Sequence, residues 1–156
     1  MIFCSTITTS SVTPRSDPLR TVMQVTAGLV YLIEVEYPAG CCGLTGVRLL
    51  DGNYQLFPAT PEEWLRGDGV VARYDELYML SAAPYELIIE TYNDDEVYDH
   101  TIQVRLGMAT TKAEMSRYMP LLSFEDFETR LAELLAEQEE AKGERLKSML
   151  TELGGG

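Results

Sequence analysis

The sequence predicts a mainly β protein. The expected form is an antiparallel β-sandwich or jelly roll of about eight strands, with an extended N-terminal arm before it and a C-terminal α-helix after it. Three observations carry this expectation. Between residues 21 and 108, short runs of β-branched and aromatic residues alternate with polar ones, with Gly, Pro, Asn and Asp between the runs. No stretch in that span has a helical period, which disfavours a parallel α/β sheet. From residue 123 the chain changes to a Glu-, Leu- and Lys-rich segment with apolar residues at helical spacing.

The first twenty residues are dominated by Ser, Thr and Pro, and Pro14 and Pro18 force extended or turn conformations around themselves. Residues 1–20 are therefore expected as an extended arm, poorly ordered on its own, that docks through Ile2, Phe3 and Ile7. Strands are predicted at 21–26, 29–37, 44–50, 54–57, 70–74 and 77–80, with a tight hairpin turn at Asp51 and Gly52. Residues 58–68 form a longer loop that holds Trp64, and Glu62 and Glu63 after Pro61 suggest a short helix there. The centre of the pattern is residues 84–107. Leu87, Ile89 and Thr91 share one face of a first strand, and Ile102, Val104 and Leu106 share one face of a second. Asn93, Asp94, Asp95 and Glu96 supply turn chemistry between them, so the two strands are expected to pair as a hairpin.

Residues 109–122 read as a linker with a short helical turn. Residues 123–156 read as a helix capped by Ser123, with an apolar stripe of Phe124, Phe127, Leu131, Leu134 and Leu135, a break at Gly143 and a glycine end. That stripe is expected to pack on the β domain or on another chain.

Composition limits the partners. The 156 residues suit one ordinary domain, 46% hydrophobic and 24% charged, with a net charge of −13. A surface this acidic repels phosphate backbones and anionic lipid, so nucleic acid and membrane are not expected partners. Before Glu34 the only charges are Arg15, Asp17 and Arg20. The weakly basic start, with Arg15 and Arg20 as its cations, complements the acidic remainder and suits self-association. No run is long and apolar enough for a transmembrane helix, and residues 1–9 lack the features of a secretory signal. Three cysteines, Cys4, Cys41 and Cys42, have neither the number nor the spacing of a disulfide scaffold or zinc site. They suit small buried hydrophobes in a protein made in a reducing cytoplasm.

No motif predicts a catalytic residue, a bound cofactor or a metal ion. His100, the single histidine, is expected to hydrogen-bond Asp99 or a backbone carbonyl. Asp94, Asp95, Glu96 and Asp99 crowd one turn, yet their spacing is not that of an EF-hand, and a solvated tip is the simpler reading than calcium. Trp64 with Tyr54 and Tyr74 would suit a sugar platform if the fold brought the rings together. Arg66-Gly67-Asp68 spells an adhesion tripeptide in a stretch that already has a turn to make.

The segments TPRSDPLRTVMQVTAG, YPAGCCGLTG, DGNYQLFP and YNDDEVYDHTIQVRLG, spanning residues 13–108, resemble those of small structural proteins of tailed-phage virions, such as capsid decoration and head–tail connector proteins. The resemblance implies a non-enzymatic bacteriophage protein located in the virion after synthesis in the host cytoplasm. Its implied partners are the major capsid protein and copies of itself, and its implied role is capsid decoration or stabilisation through arm and helix. A head–tail connector subunit and a jelly-roll carbohydrate- or receptor-binding module are the alternatives.

Overall fold

A computed structural model describes residues 1–118 and 124–153 of the chain. They divide into two compact units, Met1–Thr111 and Lys112–Gly156. Among the described residues the first unit contains nine strands: β1 (Ile2–Thr9), β2 (Leu19–Gln24), β3 (Gly28–Glu36), β4 (Thr45–Asp51), β5 (Tyr54–Phe57), β6 (Leu65–Arg66), β7 (Val71–Leu80), β8 (Glu86–Asn93) and β9 (His100–Ala109). They form two antiparallel sheets, ordered β1-β9-β3-β7 and β2-β8-β4-β5, with β6 added to β4.

One core serves both sheets. Val30, Ile33, Val35, Ile102, Val104 and Leu106 enter it from the first, and Val47, Leu49, Leu87 and Ile89 from the second. Each is fully buried, and such a side chain contributes about 2 kcal/mol through removal from water. The period-two pattern anticipated these faces in β8 and β9. In β3 the alternation breaks at Tyr31, where the register with both neighbouring strands shifts between Val30 and Leu32. A bulge turns the alternation over, so Val30 and Ile33 both reach the core. The expected strands at 70–74 and 77–80 are one strand, β7, which runs past the same irregularity.

Three larger expectations are corrected. Residues 1–20 do not form an arm. β1 lies along β9 from Ile2 opposite Gly107 to Thr9 opposite His100, and β2 lies along β8. The ladder satisfies the backbone donors of these polar segments, and the buried Thr9 Oγ1 meets Thr91 Oγ1 at 2.6 Å. Residues 84–107 are not a hairpin, because β8 and β9 lie in different sheets and residues 94–99 cross between them. Both edges of β9 are already taken, by β1 and β3. The short helix expected after Pro61 is a turn, with Glu62 at φ 63°.

The second unit contains a short helix, α1 (Lys112–Met115), and a long one, α2 (Phe124–Leu153). α2 runs through Gly143, where a break was expected. An internal glycine costs about 1 kcal/mol, which the flanking helix formers absorb. Within α2, Leu131, Leu134 and Leu135 are half-buried, and Arg130 bonds Glu133 at 2.9 Å. Ser123 and the side chains of Phe124 and Phe127 lie outside the described residues.

Candidate interaction surface

Four loops meet at one end of the β unit because their backbones bond one another. Val12 N donates to Asp95 O at 2.8 Å, Asn93 N to Thr13 O at 2.9 Å and Asp94 N to Leu44 O at 2.9 Å. Gly40 N reaches Asp68 Oδ1 at 2.7 Å, and Gly69 N reaches Pro38 O at 3.0 Å. The residues in charge of this junction are Asn93 and Asp95. The buried Asn93 amide donates to Thr9 O and Tyr98 O, while its Oδ1 accepts from Asp95 N. Asp95 Oδ1 accepts from Val97 N and Tyr98 N, and Asp95 Oδ2 meets His100 Nε2 at 3.0 Å. The two amides first, then His100, hold the Asp95 carboxyl below its ordinary value.

This rigid junction presents apolar side chains to water. Val12, Val97 and Tyr98 are 67%, 70% and 67% exposed, with Leu44 and Val70 also exposed on the adjoining loops. Val12 sits at φ 58°. A β-branched residue in left-handed backbone costs about 1–3 kcal/mol, and the bond to Asp95 O holds it there. A further strained position, Cys42 at φ 49°, borders an open depression of about 500 Å³ lined by Cys42, Gly43, Arg66, Gly67 and Asp68.

Beside this end, the outer face of the β2-β8-β4 sheet carries a continuous stack. Arg15 lies 4.4 Å over the Tyr92 ring, Trp64 meets Tyr92 edge-on at 4.9 Å, and Arg48 lies 4.3 Å over Trp64. Glu90 then joins Arg48 at 2.6 Å and Arg20 at 3.2 Å. Gly46 makes this possible, because a Cβ there would lie 2.3 Å from the Tyr92 ring. Gln55 fixes the loop before Trp64 by donating to Pro58 O and Thr60 O. The stack closes the surface: Tyr92 is fully buried, and its Oη has no hydrogen-bond partner among the described residues. Burial raises its pKa, opposed by the charges of Arg15 and Arg66. Tyr37 is likewise buried and its Oη unpartnered, and burial drives its pKa far up.

The residues singled out in the sequence fall in different places. Phe3 and Ile7 pack into the domain's own core, while Ile2 faces solvent. Arg15 pairs with Asp94 at 2.6 Å and Arg20 with Glu90, so both cations serve their own fold. His100 meets Asp95 and not Asp99, whose carboxylate accepts from Ser11 N. Asp94, Asp95 and Asp99 spend their carboxylates on these donors, and among the described residues no cluster gathers with metal-ligand geometry. The proposed sugar platform is not assembled, because Tyr54 stacks on Tyr78, Tyr74 tilts against Phe57, and Trp64 meets Tyr92. Arg66-Gly67-Asp68 runs from β6 into a turn where a Cβ on Gly67 would lie 2.6 Å from Tyr37. Cys41 is buried and donates to Gly67 O at 3.0 Å, and burial pushes its thiol pKa up. Cys4 and Cys42 are exposed thiols.

The exposed Val12, Val97 and Tyr98 were not picked out from the sequence. The available signal was an apolar pair inside an acidic turn, Glu96-Val97-Tyr98-Asp99, where turn chemistry alone needs neither residue. Compared with known proteins, the chain finds no match among family models, curated proteins or solved structures.

Proposed function

We propose that the chain is a non-enzymatic virion structural protein, a jelly-roll subunit that decorates or stabilises a capsid and docks by its Val12, Val97 and Tyr98 end. The nested strand pairing carries this reading. With the two-residue β6 set aside, the first strand pairs with the last (β1 with β9), the second with the last but one (β2 with β8), then β3 with β7 and β4 with β5. Nesting of this kind supports the jelly-roll reading, an architecture that recurs in viral capsid domains and lectins. Fold analogy alone does not choose between those roles. The separate partners of Trp64, Tyr54 and Tyr74 favour assembly over sugar binding. An exposed apolar tip on hydrogen-bonded loops suits docking onto another protein surface.

The test is to band particles on a density gradient from the cells whose genome encodes the chain and label them with antibody raised against the purified protein. Label over the shell is the expected result. Label confined to the junction of head and tail makes the chain a connector subunit. Banded particles without the chain, from cells that make it in quantity, overturn the proposal. In labelled particles, Val12→Asp with Tyr98→Asp lowers occupancy of the shell.

A further inference from the structure

The outer edge of β7 ends its sheet, and its only strand partner among the described residues is β3. Natural edges of this length are covered, broken or charged, because they otherwise template pairing with another chain. Within the first unit β7 is ten residues long and uncovered along Val71–Asp75, ahead of the bulge at Glu76 and Leu77, and its solvent-facing residues alternate as Val71, Arg73, Asp75 and Leu77. Val71 is 52% and Leu77 44% exposed. Arg73 and Asp75 make no ion pair or side-chain hydrogen bond with any described residue. The order apolar, basic, acidic, apolar is its own complement when reversed.

We propose that a second copy of this chain occupies that edge, by antiparallel β7-to-β7 pairing about a two-fold axis at Tyr74. In that register Arg73 faces Asp75 of the other copy, Asp75 faces its Arg73, and Val71 and Leu77 face each other at both ends. The two four-stranded sheets then run on as one. Charge selects the register. Moving the axis to Arg73 sets two arginines opposite each other, and moving it to Asp75 sets two aspartates opposite each other. A one-residue slip sets solvent-facing residues against core-facing ones such as Tyr74, which packs on Phe57 at 4.8 Å. Leu77 is the last paired residue, its side chain against Val71 and its N already donating to Glu76 Oε1 at 2.9 Å. The other edge of this sheet, β1, exposes Ile2, Cys4, Thr6 and Thr8, and none of these carries a charge to set a register. A closed two-fold contact of this kind satisfies the β7 edges of both copies at once. The inference is independent of the virion role.

Sedimentation equilibrium of the full chain tests it, with Arg73→Asp, Asp75→Arg and the double swap, each checked for unchanged circular dichroism. The wild type is expected to dimerise. Each single variant sets like charges opposite at two symmetric places and weakens dimerisation by about tenfold or more. The double swap restores the pairing and recovers the wild-type dimer. A wild type that stays monomeric overturns the proposal and leaves the edge to a strand from a different protein. So do single variants that dimerise as well as the wild type, or a double swap no better than either single.

Discussion

Two Arg–Glu networks, one on the outer face of each sheet, use the same residue types in opposite arrangements. On the β2-β8-β4 sheet, one glutamate sits between two arginines. Glu90 is 6% exposed, Arg20 and Arg48 are its partners, and Trp64 lies over Arg48. On the β1-β9-β3-β7 sheet, one arginine sits between two glutamates. Arg105 bonds Glu34 and Glu36 at 2.5 Å each, and Glu36 is close to half exposed. The first network centres on a buried glutamate whose partner Arg48 is roofed by an aromatic ring, and the second centres on an arginine that is 31% exposed. Burial raises the cost of losing one member, because the survivor keeps its charge in a poor solvent for it. At the open site water replaces the missing partner and salt screens what remains. The lesson is that the cover, supplied by a loop remote in sequence, decides what each ion pair is worth.

Substitutions can break or sharpen that contrast. Glu90→Ala leaves Arg48 beneath Trp64 without its carboxylate and is expected to lower unfolding free energy by about 3 kcal/mol, read from urea denaturation. Removing the roof by Trp64→Ala costs about 2 kcal/mol through lost burial. In that background the Glu90 network should become salt-sensitive. Arg105→Ala should shift the urea midpoint less than either, and the shift should shrink further in high salt, while the Glu90→Ala deficit persists. An Arg105→Ala loss equal to that of Glu90→Ala would remove the distinction.

Asp95 supplies the smallest effect and a different type of site, a carboxylate held mainly by backbone amides. Its folded pKa lies below the ordinary 3.8. Its stabilisation is therefore complete above that value and is lost as pH falls through the lowered one. Asp95→Asn should flatten the stability-versus-pH curve below about pH 4 and lower neutral-pH stability by the small amount that the wild type loses when this carboxylate is protonated.

The strands themselves were legible in the sequence where one face is apolar. Leu87, Ile89, Ile102 and Val104 alternate cleanly, and burial follows the alternation. β1 was hidden because two of its inward residues, Ser5 and Thr9, are polar, and Thr9 is buried by pairing with Thr91 across the sheets. Sheet membership was not legible at all. Asn93 and Asp95 make the same local bonds in a hairpin tip and in a crossing between sheets, so the turn chemistry was right and the partner strand wrong. The loop end was illegible for a related reason. Val12, Leu44 and Val97 come from three distant segments, and only the long-range bonds Val12 to Asp95 and Asp94 to Leu44 bring them together.

The nested pairing also fixes the order in which the chain can complete itself during synthesis. By residue 93 the strands β2, β8, β4 and β5 have all been made, so one sheet can close while the other lacks its middle member. β1 must wait for β9, with Ile2 meeting Gly107. Pairing over such separations is slow, since loop-closure entropy is lost before contacts compensate it. Until β9 emerges, β1 and β3 have no strand between them and Val30, Ile33 and Val35 lack part of their cover. A nascent chain from which β8 has emerged and β9 has not would be in its most aggregation-prone state. Rapid emergence of β9 after β8 would protect the yield of folded protein.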